Sequence, residues 1–300
     1  MSHLISRFLE GTRFLEDRSF RKPWGDIAWL HGYRLQEHVV TRDVRLVSPQ
    51  QVVLASGREA ECRAQLEQLA AAHHLPALSG RAIILAHGIT RSSRCFATMA
   101  RFLREPGVHV IGFDYPSTRC SISESASYLT RLLQSLQGIR QIDLVVHSMG
   151  GLLVRTYLHS QAENQDARLH RMVMLGVPNG GARMANVLAR YAPFHWIFGP
   201  AGVQLTEDPA GYAVTLPTPE FEFAIIAGCR GTEQGWNRFL PGDDDGTVTV
   251  ASTRLKGAAD FMTVRSLHSM MMWNPTVMES TKRFLETGSL RASGEREPIL

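Results

Sequence analysis

The segment Val145-Val146-His147-Ser148-Met149-Gly150-Gly151 constrains this chain more than any other. A mostly apolar run from Ile142 stops at a serine, and small residues and then a helical pattern follow. A buried strand that turns this sharply into a helix lifts the serine hydroxyl above the end of a sheet. Such a turn needs a parallel sheet to carry it and a helix to receive it.

The rest of the chain repeats the same alternation. Ala82 to Ala86 is wholly apolar, as expected of a strand covered on both faces. Ser93 to Leu103 reads as a helix and Val108 to Phe113 as a strand. Ser121-Ile122-Ser123-Glu124 fits a capping box, opening a helix to about Leu136. Helix Gly151–His159, strand Arg171–Gly176, strands Phe221–Ala227 and Phe261–Leu267, and helix Thr276–Leu285 complete the series. The expected class is α/β, a mostly parallel, doubly wound sheet with helices on both faces.

Three regions depart from that pattern. Residues 1–80 read as an N-terminal extension, with helical spacing to about residue 35 and a leading β-hairpin over 38–55. A helix from Glu59 to Ala72 follows the hairpin. The helical part is read as packed on the body, with weak membrane-surface contact as the lesser alternative, because Glu10, Glu16 and Asp17 dilute its arginines. Residues 81–288 read as the main α/β domain, and within it 178–219, rich in aromatic residues, is the expected cap or lid insertion. Residues 289–300 read as a flexible tail.

Bulk properties exclude several classes. The 32 basic and 28 acidic residues are interspersed, giving a formal charge of +4 and no basic stripe for nucleic acid. No stretch has the length and apolarity of a membrane span, and no signal-peptide core stands at the N-terminus. Cys62, Cys95, Cys120 and Cys229 are scattered without a C-x-x-C pair, so no zinc or redox dithiol site is signalled. A cytoplasmic protein without metal or cofactor is expected.

The chemistry follows from chain order. A serine raised on a strand-to-helix turn requires an acid and then a histidine further along the chain. Of the histidines after Ser148, only His268 also follows the acidic cluster Asp243-Asp244-Asp245. Asp245 is the chosen acid, Asp244 its close competitor, and Asp260 a weaker one at the start of a strand. A calcium loop fails, because Pro241 and Ser252 stand where an EF-hand needs ligands. The expected oxyanion donors are the Met149 and Ile89 N–H groups, with Gly88 permitting the loop conformation. His87 and His147 fail the order test and are read, with Gly150, as supporting residues. Val146 stands where the G-x-S-x-G pattern has glycine.

These motifs resemble the α/β-hydrolase superfamily and, within it, the bacterial lipase/esterase group. The resemblance is carried by Leu85-Ala86-His87-Gly88, Phe113-Asp114-Tyr115-Pro116-Ser117, Val146 to Gly151, Leu175-Gly176-Val177-Pro178-Asn179-Gly180-Gly181, Asp245-Gly246-Thr247-Val248 and His268. It spans about Arg81 to Gly288. It implies Ser148 as nucleophile, Asp245 as acid and His268 as base, acting on a small-molecule or lipid ester. The same residues would serve a thioesterase, amidase or acyltransferase, and a hydrolase-like binding module is the non-enzymatic alternative.

Overall fold

The computed structural model describes residues 22–181, 200–202, 204 and 211–300. Its centre is a six-stranded parallel sheet in the order β10-β9-β8-β7-β5-β6. These strands are β5 (Gly80–Ala86), β6 (Val108–Phe113), β7 (Ile139–His147), β8 (Leu169–Leu175), β9 (Glu222–Cys229) and β10 (Asp260–Arg265). The chain runs outward from β5 to β6, then returns to place β7 on the other side of β5. The order therefore reverses between β5 and β7, and ligands of open α/β sheets gather at the carboxyl ends beside such a reversal.

Alternate side chains build a core on each face. Ile84, Leu144, Val146, Met172 and Met174 enter one apolar cluster. Ile83, Leu85, Val145, Val173 and Leu175 enter the other. Burial on both faces is why these strands carry few polar residues. The helices that cover the sheet include α2 (Ala97–Phe102), α3 (Ile122–Ser135), α4 (Met149–Ser160) and α7 (Pro275–Thr287). Helix α3 begins at the expected capping box: the Glu124 N–H donates to Ser121 Oγ at 3.1 Å, and the Ser121 N–H to the Glu124 carboxylate at 2.7 Å.

The N-terminal region forms a separate antiparallel sheet, β1-β2-β3-β4, followed by helix α1 (Glu59–Ala72). The hairpin expected over 38–55 is β3 (Val44–Val47) with β4 (Val53–Gly57). Two further strands precede it, β1 (Trp24–Leu30) and β2 (Tyr33–His38), so the helical reading up to residue 35 fails over 24–30 and 33–35. Residues 1–21 lie outside the described part. Tertiary contacts override local pattern here. Gly25 lies so close to Tyr128 of α3 that a Cβ would meet its ring at 2.5 Å. The Asp26 N–H donates to Asp114 O at 2.8 Å, just beyond β6, which ties the small sheet to the large one.

The expected flexible tail is also corrected. Leu290 is fully buried, and its N–H donates to Asp260 at 2.8 Å. Arg291 pairs with the same carboxylate at 2.7 Å. The Gly257 N–H donates to Ile299 O at 2.7 Å and the Ile299 N–H to Ala258 O at 2.9 Å. A buried carboxylate at the start of β10 needs these partners, and the tail supplies them. The cap expected over 178–219 lies largely outside the described residues. The described part includes the short helix α5 (Tyr212–Thr215), and α6 (Val250–Thr253) follows β9.

Candidate active site

Ser148 sits between β7 and α4 with φ +54° and ψ −127°. A non-glycine residue there is strained by roughly 1–3 kcal/mol and persists only when its surroundings hold it. Its N–H donates to Leu175 O at 3.0 Å, and its own carbonyl accepts from the Gly151 N–H at 3.0 Å. Gly150 is required by close approach: a Cβ would lie 2.5 Å from Ala86 O and 2.8 Å from His87 O. Val146 does not crowd the turn, because it is still in β7, paired with Ala86 and Met174, and its side chain is in the core.

His268 follows β10 and opens a short 3-10 turn, His268–Trp273. Its Nδ1 lies 2.6 Å from Asp245 Oδ2, and its N–H donates to Asp245 O at 2.8 Å. The other Asp245 oxygen accepts from the Thr247 and Val248 N–H groups at 3.0 and 2.7 Å. Asp245 is almost wholly buried. Two glycines at strand ends make room for this pair. At Gly176, φ +54°, a Cβ would stand 3.1 Å from both Asp245 Oδ2 and His268 Nδ1. At Gly228 it would stand 2.7 Å from Asp245 Cβ.

The neighbouring aspartates face elsewhere. Asp244 accepts from the Trp236, Asn237 and Gly246 N–H groups and folds the loop around itself. Asp243 accepts from the Arg230 and Gly231 N–H groups. Among the described residues, no group of three or more His, Cys, Asp or Glu side chains could hold a metal ion. Asp260 lies at the opposite end of the sheet and is spent on the C-terminal segment.

His147 joins Ser148 to His268. Its Nε2 lies 3.0 Å from His268 O, and the two rings are 4.6 Å apart. Burial, with the neighbouring His268, holds His147 well below the usual histidine range, so the ring stays neutral. A neutral imidazole has one N–H; if Nε2 carries it to the carbonyl, Nδ1 is left as an acceptor. That Nδ1 is buried and has no hydrogen-bond partner. The Ser148 hydroxyl makes no direct hydrogen bond to His268 in this structure. The Ser148 N–H is bonded to Leu175 O, and the next residue, Gly176, is the one His268 Nδ1 approaches. Catalytic hydrogen bonds of unliganded enzymes are often long and tighten only with substrate.

On the other side of Ser148 lies the loop after β5. Gly88 approaches so closely that a Cβ would be 2.9 Å from Ser148 Cβ. His87 is buried and held below its ordinary value by that burial, and it stacks on Tyr115 at 4.3 Å. Among the described residues, the Ile89 N–H finds no backbone acceptor. Met149 is the first residue of α4, where N–H groups lack intrahelical partners and the helix dipole favours negative charge.

Three features escaped sequence reading. Gly176 and Gly228 are visible only as close contacts. Arg155 of α4 is buried and donates to Pro217 O at 3.0 Å and Asn179 Oδ1 at 3.1 Å, near the two ends of the 178–219 stretch. Burial alone lowers it to about 10. The third is a buried cluster in which Arg34 lies between Asp26 and Asp114, at 3.6 and 2.7 Å. Burial raises Asp26; it acts the same way on Asp114, but Arg34 and His87 outweigh it there and keep that carboxylate charged.

A family model described as a domain of unknown function (DUF7379) matches residues 49–190. No curated protein matches. Among solved structures, the lin2722 gene product of Listeria innocua is similar at 19% identity, covering 69% of this chain and 94% of that one, with a TM-score of 0.50. The lipase BlEst2 of Bacillus licheniformis is 21% identical over 66% of this chain and 87% of its own, with a TM-score of 0.48. A thermophilic esterase of Thermogutta terrifontis is 16% identical over 69% of this chain and 90% of its own, with a TM-score of 0.47. The parallel sheet reversing between β5 and β7, with a strained serine where β7 meets its helix, identifies the architecture: this chain has the α/β-hydrolase fold.

Proposed function

We propose that this chain is a serine hydrolase of carboxylic esters, with Ser148 as nucleophile, His268 as general base and Asp245 as the acid that orients it. The observation that carries the reading is the 2.6 Å contact of His268 Nδ1 with Asp245, on the rim that holds the strained Ser148 turn. His268 Nε2 takes the proton from Ser148 as its oxygen attacks the ester carbonyl. The Met149 and Ile89 N–H groups receive the tetrahedral oxyanion, a kind of contribution worth about a hundredfold to a thousandfold per donor. His268 then protonates the leaving alcohol, and water repeats the cycle on the acyl-enzyme. Asp245 keeps the proton on Nδ1 and stabilises the imidazolium. A reducing, cytoplasmic setting fits the four free, buried cysteines.

The triad by itself does not select the leaving group. A panel of matched short-chain ester, thioester and amide substrates tests the reading. Ester hydrolysis is expected to be fastest, and to disappear in Ser148→Ala. Turnover confined to the thioester or amide would reassign the substrate class. No turnover of any member by the folded protein would support a binding module instead.

A further inference from the structure

Beyond the turn that carries Ser148, the C-terminal rim of the sheet holds a polar cavity. It lies where the N-terminal sheet meets the loop after β5, and its volume is about 50 Å³. A water needs roughly 10–15 Å³ on this measure, so the space suits a few waters or one small oxyanion. Lys22, Arg34, Arg45 and Arg94 line it together with the carboxylate of Asp114, and Arg34 is also met from behind by Asp26 at 3.6 Å.

Among the described residues, the side-chain oxygens of the lining are all engaged. Asp114 Oδ1 accepts from the Ser93 N–H at 2.7 Å, and Oδ2 from Ser93 Oγ at 2.9 Å and Arg34 Nη1 at 2.7 Å. Gln36 Oε1 accepts from Arg45 Nε at 2.9 Å, and Gln51 Oε1 accepts from Arg34 Nη2. Arg45 also lies 4.2 Å over the Trp24 ring, which fixes its guanidinium at the wall. Lys22 and Arg94 form no ion pair among the described residues. Converging cations in a concave site, with the side-chain oxygens of its described lining already engaged, raise the local concentration of anions.

The cavity also adjoins the reaction centre. Asp114, in its wall, lies 3.7 Å from His87 Nε2. His87 is followed by Gly88, which packs on Ser148. Arg94 belongs to the same β5–α2 loop as Ile89, the candidate oxyanion donor. The buried His87 is thus the wall that separates the cavity from the Ser148 turn, and a substrate that reaches both passes over it.

We propose that this cavity is an oxyanion subsite, which takes a phosphate-sized anionic group carried by the ester substrate. Lys22 and Arg94 contact the anion, and Arg34 and Arg45 form its fixed cationic wall. The proposal rests on the ester-hydrolase reading for the substrate's other end, but not for anion binding itself.

The test pairs calorimetry with kinetics. Inorganic phosphate is titrated into Ser148→Ala protein and into the same protein carrying Lys22→Gln and Arg94→Gln. In parallel, hydrolysis of a neutral ester is compared with that of an ester bearing a phosphate on its acyl or alcohol part. Phosphate is expected to bind better than chloride at equal ionic strength, and the two substitutions to weaken it by about tenfold or more, since a hydrogen bond to a charged group is typically worth that much. The same substitutions on the active enzyme should raise KM for the phosphorylated ester similarly, with kcat unchanged and the neutral ester unaffected. Inorganic phosphate should compete with the phosphorylated ester alone. If phosphate binds without competing, the site serves free phosphate and the substrate subsite is overturned. Phosphate no better than chloride, or binding indifferent to both substitutions, overturns the cavity assignment even where neutral esters are hydrolysed. Phosphate binding without hydrolysis of any ester removes the hydrolase reading and leaves the anion site.

Discussion

His268→Ala is expected to lower turnover of a neutral ester by on the order of a millionfold, because nucleophile and base act as one unit. Without the imidazole, the Ser148 proton has no acceptor at neutral pH, and the leaving alcohol has no donor. His147 cannot replace it. Burial, with the neighbouring His268, holds its ring well below the ordinary histidine range, so it takes a proton only in more acidic solution, and its Nε2 is engaged with His268 O. Stopped-flow hydrolysis checks the rate, and thermal denaturation checks that the fold survives. A loss below about a hundredfold in a folded variant would mean that another group removes the proton.

Asp245→Asn should cost about ten thousandfold while leaving the fold nearly intact, the size seen when a triad aspartate becomes an amide. The reason lies in its hydrogen bonds. One Asp245 oxygen accepts from the Thr247 and Val248 N–H groups, and the other faces His268 Nδ1. An asparagine has one oxygen, and the two backbone donors hold it. The amide NH2 then faces Nδ1, which can only accept from it, so the imidazole proton moves to Nε2, which can no longer take the proton of the Ser148 hydroxyl. Asp244→Asn is the control. Asp244 accepts three backbone N–H bonds away from His268, so its amide should affect the stability of the loop rather than kcat. Equal losses of turnover in the two variants would contradict this division.

The central sheet was legible because its strands are covered on both faces. Runs such as Ala82–Ala86 have no solvent side to carry polar residues, and each ends where chemistry-bearing residues begin. The N-terminal sheet was not legible. Trp24 to Leu30 carries no clean alternation, and its place is set by Gly25 against Tyr128 and Asp26 against Asp114, residues about a hundred positions away. The C-terminal segment looked unanchored because its partner, Asp260, lies 30 or more residues earlier. In the site, sequence left Asp244 and Asp245 as close competitors. Backbone N–H groups separate them, and those have no letter in the sequence. The glycines at 176 and 228 were hidden for a similar reason: their role is the space that a Cβ would take from Asp245 and His268.

The most direct measurement is mass spectrometry of the whole protein and its peptides after reaction with a fluorophosphonate. An activated serine beside an imidazole should give one adduct, on the peptide containing Ser148, formed within minutes and abolished in His268→Ala. An adduct on a different residue, or none on the folded wild-type protein, would contradict the account.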